Sequence, residues 1–74
     1  MNRFPATSAR KVLRALLRNG WREKPRISKS GSHKQLENPN FPDEYTWAFH
    51  DGDEIGPKML AKIAKRTGLK PEDL

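Results

Sequence analysis

The sequence contains no cysteine, and this absence excludes disulfide bonds and cysteine-ligated metal sites. It also has no apolar run that approaches the ~20 residues of a membrane-spanning helix. Residues 1–5 are not followed by an apolar segment, so we expect no signal peptide. Together these absences favour a cytoplasmic protein that has no contact with a membrane.

Apolar residues are also few. They make up 34% of the 74 residues, and the aromatic ones are two Trp, three Phe and one Tyr. A chain of this length forms one domain, here residues 1–74, and buries only about 60% of its unfolded surface. We therefore expect a small core, sufficient for one sheet under a pair of helices, and a stability that depends partly on a partner.

Acidic residues are scarce in the first half of the chain. Residues 1–36 hold ten Lys or Arg and a single acid, whereas residues 37–55 hold six acids and no Lys or Arg. Residues 56–74 are basic again, and the net charge is +6. Two basic blocks around an acidic one indicate either a surface for a polyanion or a solvated basic surface without a partner.

Residues 7–19 have the apolar periodicity of a helix. The hydroxyl of Thr7 or Ser8 is expected to cap its first turn, and Gly20 is expected to end it. Trp21 can then fold back onto the apolar face of the helix. The predicted apolar face consists of Ala9, Val12, Leu13, Leu16 and Leu17.

A second helix is predicted over residues 57–67. Pro57 suits the first helical position, because it lacks the amide hydrogen that would have no partner there. Gly68 is expected to end this helix, with Leu69 packing back against the cap. Its predicted apolar stripe consists of Met59, Leu60, Ile63 and Ala64.

The segment between the helices is predicted to form strands. Residues 45–49 alternate aromatic and small side chains, which favours a strand whose aromatic side is core, although aromatic rings can also stack on bases. Residues 32–37 form a second strand, and residues 38–43 form a turn. Residues 21–29 form an edge strand, a bulge or a loop, since Pro25 cannot donate to a sheet ladder.

This order of elements predicts an α+β fold of two layers. Strands that follow one another in the chain favour an antiparallel meander, and both helices then cover one face of the sheet. The opposite face stays open. Because side chains alternate along a strand, His33 and Leu36 point to opposite faces, so a buried Leu36 keeps His33 out of the core.

One further polar segment, residues 50–54, combines a histidine with carboxylates. The spacing of His50 to these acids matches no established metal motif. We therefore predict no metal site and no cofactor.

Four sequence features follow one another along the chain. The first is a helix that ends in Asn19-Gly20-Trp21, and the second is Gly31-Ser32-His33 with Leu36 three places on. The third is a strand that runs into residues 50–55, and the fourth is a closing helix that runs into Thr67-Gly68-Leu69. Their order resembles the HicA family, the ribonuclease toxins of bacterial and archaeal toxin–antitoxin pairs, and the resemblance covers residues 8–74.

The resemblance implies a fold similar to a double-stranded-RNA-binding domain, with the order α-β-β-β-α and a three-stranded antiparallel sheet. It implies ribosome-independent cleavage of mRNA, and neutralisation by a HicB-type antitoxin. It also implies that the histidine of the Gly-Ser-His motif, His33, is the catalytic residue.

The residues around His33 suit this chemistry. An imidazole has a reference pKa of about 6.5, which lets it accept and return a proton near neutral pH. Gly31 allows close approach of another backbone, and Ser32 can orient the imidazole or a phosphate. The cations expected to contact the RNA phosphates are Arg26, Lys29 and Lys34. Single-stranded RNA is the expected substrate, because its unstacked backbone can adopt the in-line geometry of self-cleavage.

Two other interpretations fit parts of the pattern. In the first, the protein is a non-catalytic RNA-binding module in which His33 only contacts phosphate. In the second, residues 60–74 belong to a DNA-binding helix-turn-helix protein. We expect no turn and recognition helix after these residues, and the aromatic strand has no place in such a protein, which argues against the second interpretation.

Overall fold

The structure, a computed structural model, describes residues 4–25 and 34–74. Two helices flank short strands in these ranges, as the sequence predicts. The elements in chain order are β1 Thr7–Ser8, α1 Ala9–Arg18, β2 Arg22–Glu23, β3 Lys34–Glu37, β4 Tyr45–Trp47, β5 Glu54–Ile55, α2 Pro57–Thr67 and a 3₁₀ helix Pro71–Asp73. None of the described helices has the length and apolar composition to cross a membrane.

Strands β2, β3 and β4 form an antiparallel three-stranded sheet with β3 in the centre. The predicted meander and the α+β class are therefore confirmed. Leu36 and Trp47 point to the side covered by both helices, where each is at most 1% exposed. Gln35 and Thr46, which are paired across β3 and β4, point to the opposite, open face.

A second, two-stranded sheet was not predicted. β1 pairs antiparallel with β5, with Thr7 opposite Ile55 and Ser8 opposite Glu54. Two residues are too few to show the alternation by which a strand is recognised. The ladder joins the segment before α1 to the segment before α2, and the amide of Ala9 extends it by donating to the Asp53 carbonyl over 2.8 Å.

The core lies between the helices and the three-stranded sheet. Its members come from every layer, so neither helix could be removed without exposing the rest. The buried apolar residues are Ala9, Val12, Leu13, Ala15, Leu16, Trp21, Leu36, Trp47, Ile55, Leu60, Ile63 and Leu69.

The ends of α1 match the sequence signals. Ser8 caps the first turn, its hydroxyl accepting from the Lys11 amide over 3.4 Å. Gly20 has a φ of +100°, the left-handed conformation that a residue with a Cβ rarely adopts. Trp21 then folds back into the core and donates its indole N–H to the Thr67 carbonyl over 3.2 Å. This bond joins the C-terminal ends of the two helices.

The C-terminal end of α2 is also as predicted. Gly68 has a φ of +76°, and a Cβ there would come within 3.0 Å of the Phe41 ring. Phe41 in turn packs on Trp21, with 5.0 Å between the ring centroids. Leu69 is buried beside this cap. Gly68 is therefore needed both for the backbone turn and for the close approach of an aromatic ring.

Two residues assigned to the apolar faces are in fact exposed. Leu17 and Met59 are each 42% exposed, whereas Ala15 and Thr67 are buried. Successive residues turn by about 100° on a helix, so an inner face centred between Val12 and Leu16 includes Ala15 and excludes Leu17. On α2 the inner face likewise shifts from Met59 towards Thr67, whose hydroxyl donates to the Ile63 carbonyl.

The strand predicted over residues 45–49 is shorter in the structure. β4 ends at Trp47, but Phe49 still packs edge-on against the Trp47 ring at 5.0 Å. The prediction that the aromatic side of residues 45–49 is core is thus confirmed. β2 is an edge strand, one of the alternatives left open for residues 21–29, and residues 26–29 lie outside the described ranges.

The C-terminal segment is attached to the end of α1. Asp73 accepts from the Asn19 side-chain amide and from the Lys70 backbone amide, both over 2.9 Å, and Arg18 donates to the Asp73 carbonyl. The hydrogen bonds from Lys70 and Asn19 hold the pKa of the Asp73 carboxyl below its ordinary value.

A matched pair on α1 tests the position of the inner face. Leu16→Ala removes a fully buried side chain and should lower the free energy of unfolding by about 2–5 kcal/mol. Leu17→Ala makes the same chemical change at an exposed position and should change it by about 0.5 kcal/mol or less. Urea unfolding of the two variants measures the difference, and equal losses would place Leu17 in the core after all.

Asp73→Asn tests the attachment of the C-terminal segment. Because the folded-state pKa is lowered, the charged carboxylate stabilises the fold above the ordinary pKa, and this contribution is lost as the pH falls through the folded-state pKa. The variant should therefore be less stable than the wild type at neutral pH and equally stable in strong acid. Urea midpoints over this pH range measure it. Glu72→Gln is the control: within residues 4–25 and 34–74 the structure shows no side-chain hydrogen bond of Glu72, so this variant should be about as stable as the wild type at neutral pH.

Candidate functional site

The structure describes one of the six residues that the sequence assigns to the site. That residue is Lys34. The other five, Arg26, Lys29, Gly31, Ser32 and His33, lie outside the described residues. The described part of the candidate site consists of the start of β3 and the open face of the sheet beside it.

Lys34 is the first residue of β3 and lies opposite Trp47 of β4. Its side chain is 34% exposed, and its ammonium lies 3.7 Å from a carboxylate oxygen of Glu23 on the other neighbouring strand. Trp47, by contrast, is fully enclosed. Lys34 thus lies at the border between the core and solvent, and its ammonium forms an ion pair with Glu23 of β2.

The open face of the sheet carries a hydrogen-bonded row of four side chains. Thr46 donates its hydroxyl to the Gln35 side-chain oxygen, and the Gln35 amide donates to Glu44 over 3.2 Å. Lys24 donates to the other oxygen of Glu44. Lys24 enters the row because its backbone amide bonds the Gln35 carbonyl over 2.8 Å, which brings the chain after β2 alongside β3. We call Lys24, Gln35, Glu44 and Thr46 the open-face row.

The charged end of this row is an ion pair. The hydrogen bond between Lys24 and Glu44 raises the pKa of the Lys24 ammonium and lowers that of the Glu44 carboxyl. Both groups therefore stay charged over the neutral range, and neither is suited to proton transfer there. The uncharged end, Gln35 and Thr46, offers an amide and a hydroxyl that can contact a polar ligand.

A second ion pair lies near the turn end of the sheet. Arg22 and Glu37 face each other across β2 and β3, with 3.2 Å between the guanidinium nitrogen and the carboxylate oxygen. All three cations on the described strands and their flanks, Arg22, Lys24 and Lys34, thus have an acidic partner. This part of the surface is close to electrically neutral.

His50 lies apart from β3, in the loop that follows β4. It is exposed, and its backbone amide donates to Asp53 over 2.9 Å. Asp53 is thereby engaged within the loop. Over residues 4–25 and 34–74, no three His, Asp or Glu side chains come together in a way that could hold a metal ion.

Sequence reasoning missed Gln35 and Thr46. One signal was available, because alternation along residues 32–37 separates Gln35 from the buried Leu36. The partners of Gln35 could not be predicted in the same way. They depend on the register that sets Gln35 opposite Thr46, and on the turn that brings Glu44 to the same row.

Comparison with known protein families gives a match over most of the chain. The sequence model of the family described as HicA toxin of bacterial toxin–antitoxin systems matches residues 9–69, from the start of α1 to the residue after Gly68. No curated protein and no solved structure gives a significant match. The family match covers most of the 74 residues and includes Gly31-Ser32-His33. The chain therefore belongs to the HicA toxin family of bacterial toxin–antitoxin systems.

Proposed function

We propose that this protein is a ribonuclease toxin that cleaves mRNA without the ribosome, with His33 as its catalytic residue. The observation that carries the proposal is the family match over residues 9–69, a range that contains the Gly-Ser-His motif. The fold supports it, because the two helices and the antiparallel three-stranded sheet are consistent with the fold of that family.

The strand that follows the motif supports a solvent-facing histidine. His33 is bonded directly to Lys34, the first residue of β3, and Leu36 is completely buried. Under the alternation predicted for residues 32–37, His33 shares the side of Gln35 and not that of Leu36. An imidazole on that side would meet the uncharged end of the open-face row, where Gln35 and Thr46 can contact a ribose or a phosphate.

The proposed reaction uses the RNA's own nucleophile. The imidazole of His33 takes the proton of a 2′-hydroxyl, and the oxygen attacks the adjacent phosphorus. The bond from phosphorus to the 5′-oxygen breaks, and the imidazolium returns its proton to that oxygen. The products are a 2′,3′-cyclic phosphate and a 5′-hydroxyl. A well-placed general acid or base of this kind raises the reaction rate by about 10²- to 10⁴-fold.

The negative charge that builds on the phosphorane needs cations nearby. Arg26, Lys29 and Lys34 are the proposed contributors. Lys34 already forms an ion pair with Glu23, so the charge that it can offer to the phosphorane depends on how far the phosphate displaces that carboxylate. The proposed substrate is single-stranded mRNA, because its backbone can reach the in-line geometry of self-cleavage.

A toxin of this family works with an antitoxin, and we assign that role to a HicB-type protein. Its expected binding gives a prediction. The product of the neighbouring gene, mixed with this protein, should elute as one complex in size-exclusion chromatography. Two separate peaks at micromolar concentration would contradict the assignment.

His33→Ala tests the catalytic assignment. The variant should lose cleavage of a labelled RNA, because no group remains to accept the 2′-hydroxyl proton, and it should keep nearly all of its RNA affinity. His50→Ala removes the protein's other histidine and should leave cleavage unchanged. In cells, wild-type protein should arrest growth and deplete mRNA, whereas His33→Ala should do neither.

The other outcomes are also informative. Cleavage retained by purified His33→Ala would remove His33 from the mechanism. Binding by the wild type without any cleavage product would favour the alternative, a non-catalytic RNA-binding module in which His33 contacts phosphate. Loss of binding in His33→Ala would strengthen that alternative.

A further inference from the structure

Charge is divided between the helices and the rest of the described chain. Each helix carries four Lys or Arg and no acid. The described residues outside α1 and α2 carry four basic and all nine acidic residues of the protein. The helices therefore contribute +8 and the described strands, loops and tail −5. The cations of the helices are Arg10, Lys11, Arg14, Arg18, Lys58, Lys62, Lys65 and Arg66.

These eight side chains form the outer surface of the helical layer. All are exposed, because the inner faces of both helices are occupied by the core. Within residues 4–25 and 34–74, no carboxylate forms an ion pair with any of them, and the three ion pairs found there all use Arg22, Lys24 or Lys34. Arg18 contacts an acidic residue through the backbone carbonyl of Asp73. In the described part of the chain, the excess positive charge is thus concentrated on the helical side.

The helical cations are also regularly spaced. Arg10, Arg14 and Arg18 follow one another at four-residue intervals on α1, which is about 6 Å of rise per step. Lys58, Lys62 and Lys65 form a similar row along α2. A row of exposed cations along each helix suits a polymer with a charge on every unit better than a small anion, which would need converging groups.

We infer that the outer surface of the helical layer binds the phosphate backbone of RNA, at nucleotides other than the scissile one that the proposed mechanism places beside His33. The inference rests on the proposed function for the identity of the substrate. It adds a binding surface made of residues other than Arg26, Lys29 and Lys34, the cations assigned from the sequence around His33.

The composition of this surface favours a nucleic acid over a protein partner. The only large apolar side chains exposed in the described part of the chain are Leu17 and Met59, one on each helix. A protein interface has an apolar, fully buried centre from which charged residues are depleted. Protein–nucleic acid interfaces are instead strongly basic and polar, as this surface is.

The open face lacks the same property. The two cations described on it, Arg22 and Lys24, already have carboxylate partners, so a phosphate that binds either of them would have to displace Glu37 or Glu44. Replacing two open-face cations changes the protein's net charge by the same amount as replacing two helical ones. This equality supplies a matched control for the effect of net charge alone.

The test compares two double variants. The helix variant carries Arg14→Gln and Lys62→Gln, and the sheet variant carries Arg22→Gln and Lys24→Gln. Glutamine is a good helix former, so α1 and α2 should persist, which thermal unfolding checks. The probe is a fluorescent single-stranded 2′-O-methyl RNA, which has no free 2′-hydroxyl and cannot be cut by the proposed reaction. Its affinity is measured by anisotropy over a series of salt concentrations.

The helix variant should bind on the order of tenfold more weakly at 0.1 M salt, and the slope of log affinity against log salt should fall by about 1.4, or about 0.7 for each of two lost contacts. The sheet variant should keep the wild-type slope. Equal losses in both variants, or a loss confined to the sheet variant, would overturn the inference. So would normal RNA binding by a helix variant that no longer binds the antitoxin, since the surface would then serve a protein.

Cleavage is measured separately, on unmodified RNA. Wild-type protein that binds the probe through its helices but cuts nothing would refute the proposed ribonuclease and leave the binding surface standing. If the wild-type protein cuts RNA while the helix variant binds the probe normally, the proposed ribonuclease stands and the helical binding surface is refuted.

Discussion

The hydrogen bond from the Trp21 indole to the Thr67 carbonyl is the contact on which the rest of the fold depends. Trp21 directly follows the turn that ends α1, and Thr67 is the last residue of α2, so the bond joins the C-terminal ends of the two helices. The same indole packs on Phe41, and Phe41 closes over Gly68, where any side chain would intrude. One buried ring thus holds two helix ends and the turn between β3 and β4, and a core of this size has no second ring in an equivalent position among the described residues.

Much of this arrangement follows from local signals. The bounds of α2 agree with the prediction, because Pro57 and Gly68 restrict the backbone on their own. The two-residue strands β1 and β5 could not be predicted, since they exist only through their pairing. The exposure of Leu17 and Met59 depends on which side of each helix meets the sheet, which is a tertiary property. The apolar periodicity alone predicts that both side chains belong to the core.

The candidate site likewise has one part that the sequence predicts and another that depends on the fold. The sequence motif draws attention to His33 and its neighbouring cations, and their roles stay predictions. The open-face row and the partners of Arg22, Lys24 and Lys34 require the strand register, and they change the electrostatic interpretation. Basic residues that look alike in the sequence differ in the fold: those on the strands and their flanks form ion pairs with carboxylates, whereas those on the helices form none among the described residues. The total charge conceals this difference.

The ladder between β1 and β5 has a consequence for the direction of the helices. It brings the start of α1 beside the start of α2, while the Trp21–Thr67 bond brings their ends together. The two helices therefore run the same way, and their peptide dipoles add instead of cancelling. The helical layer has a polarity, with its amide-rich pole at the ladder and its carbonyl-rich pole at Trp21. A chain lying along this layer would meet a graded potential, and its two opposite 5′-to-3′ directions would be inequivalent.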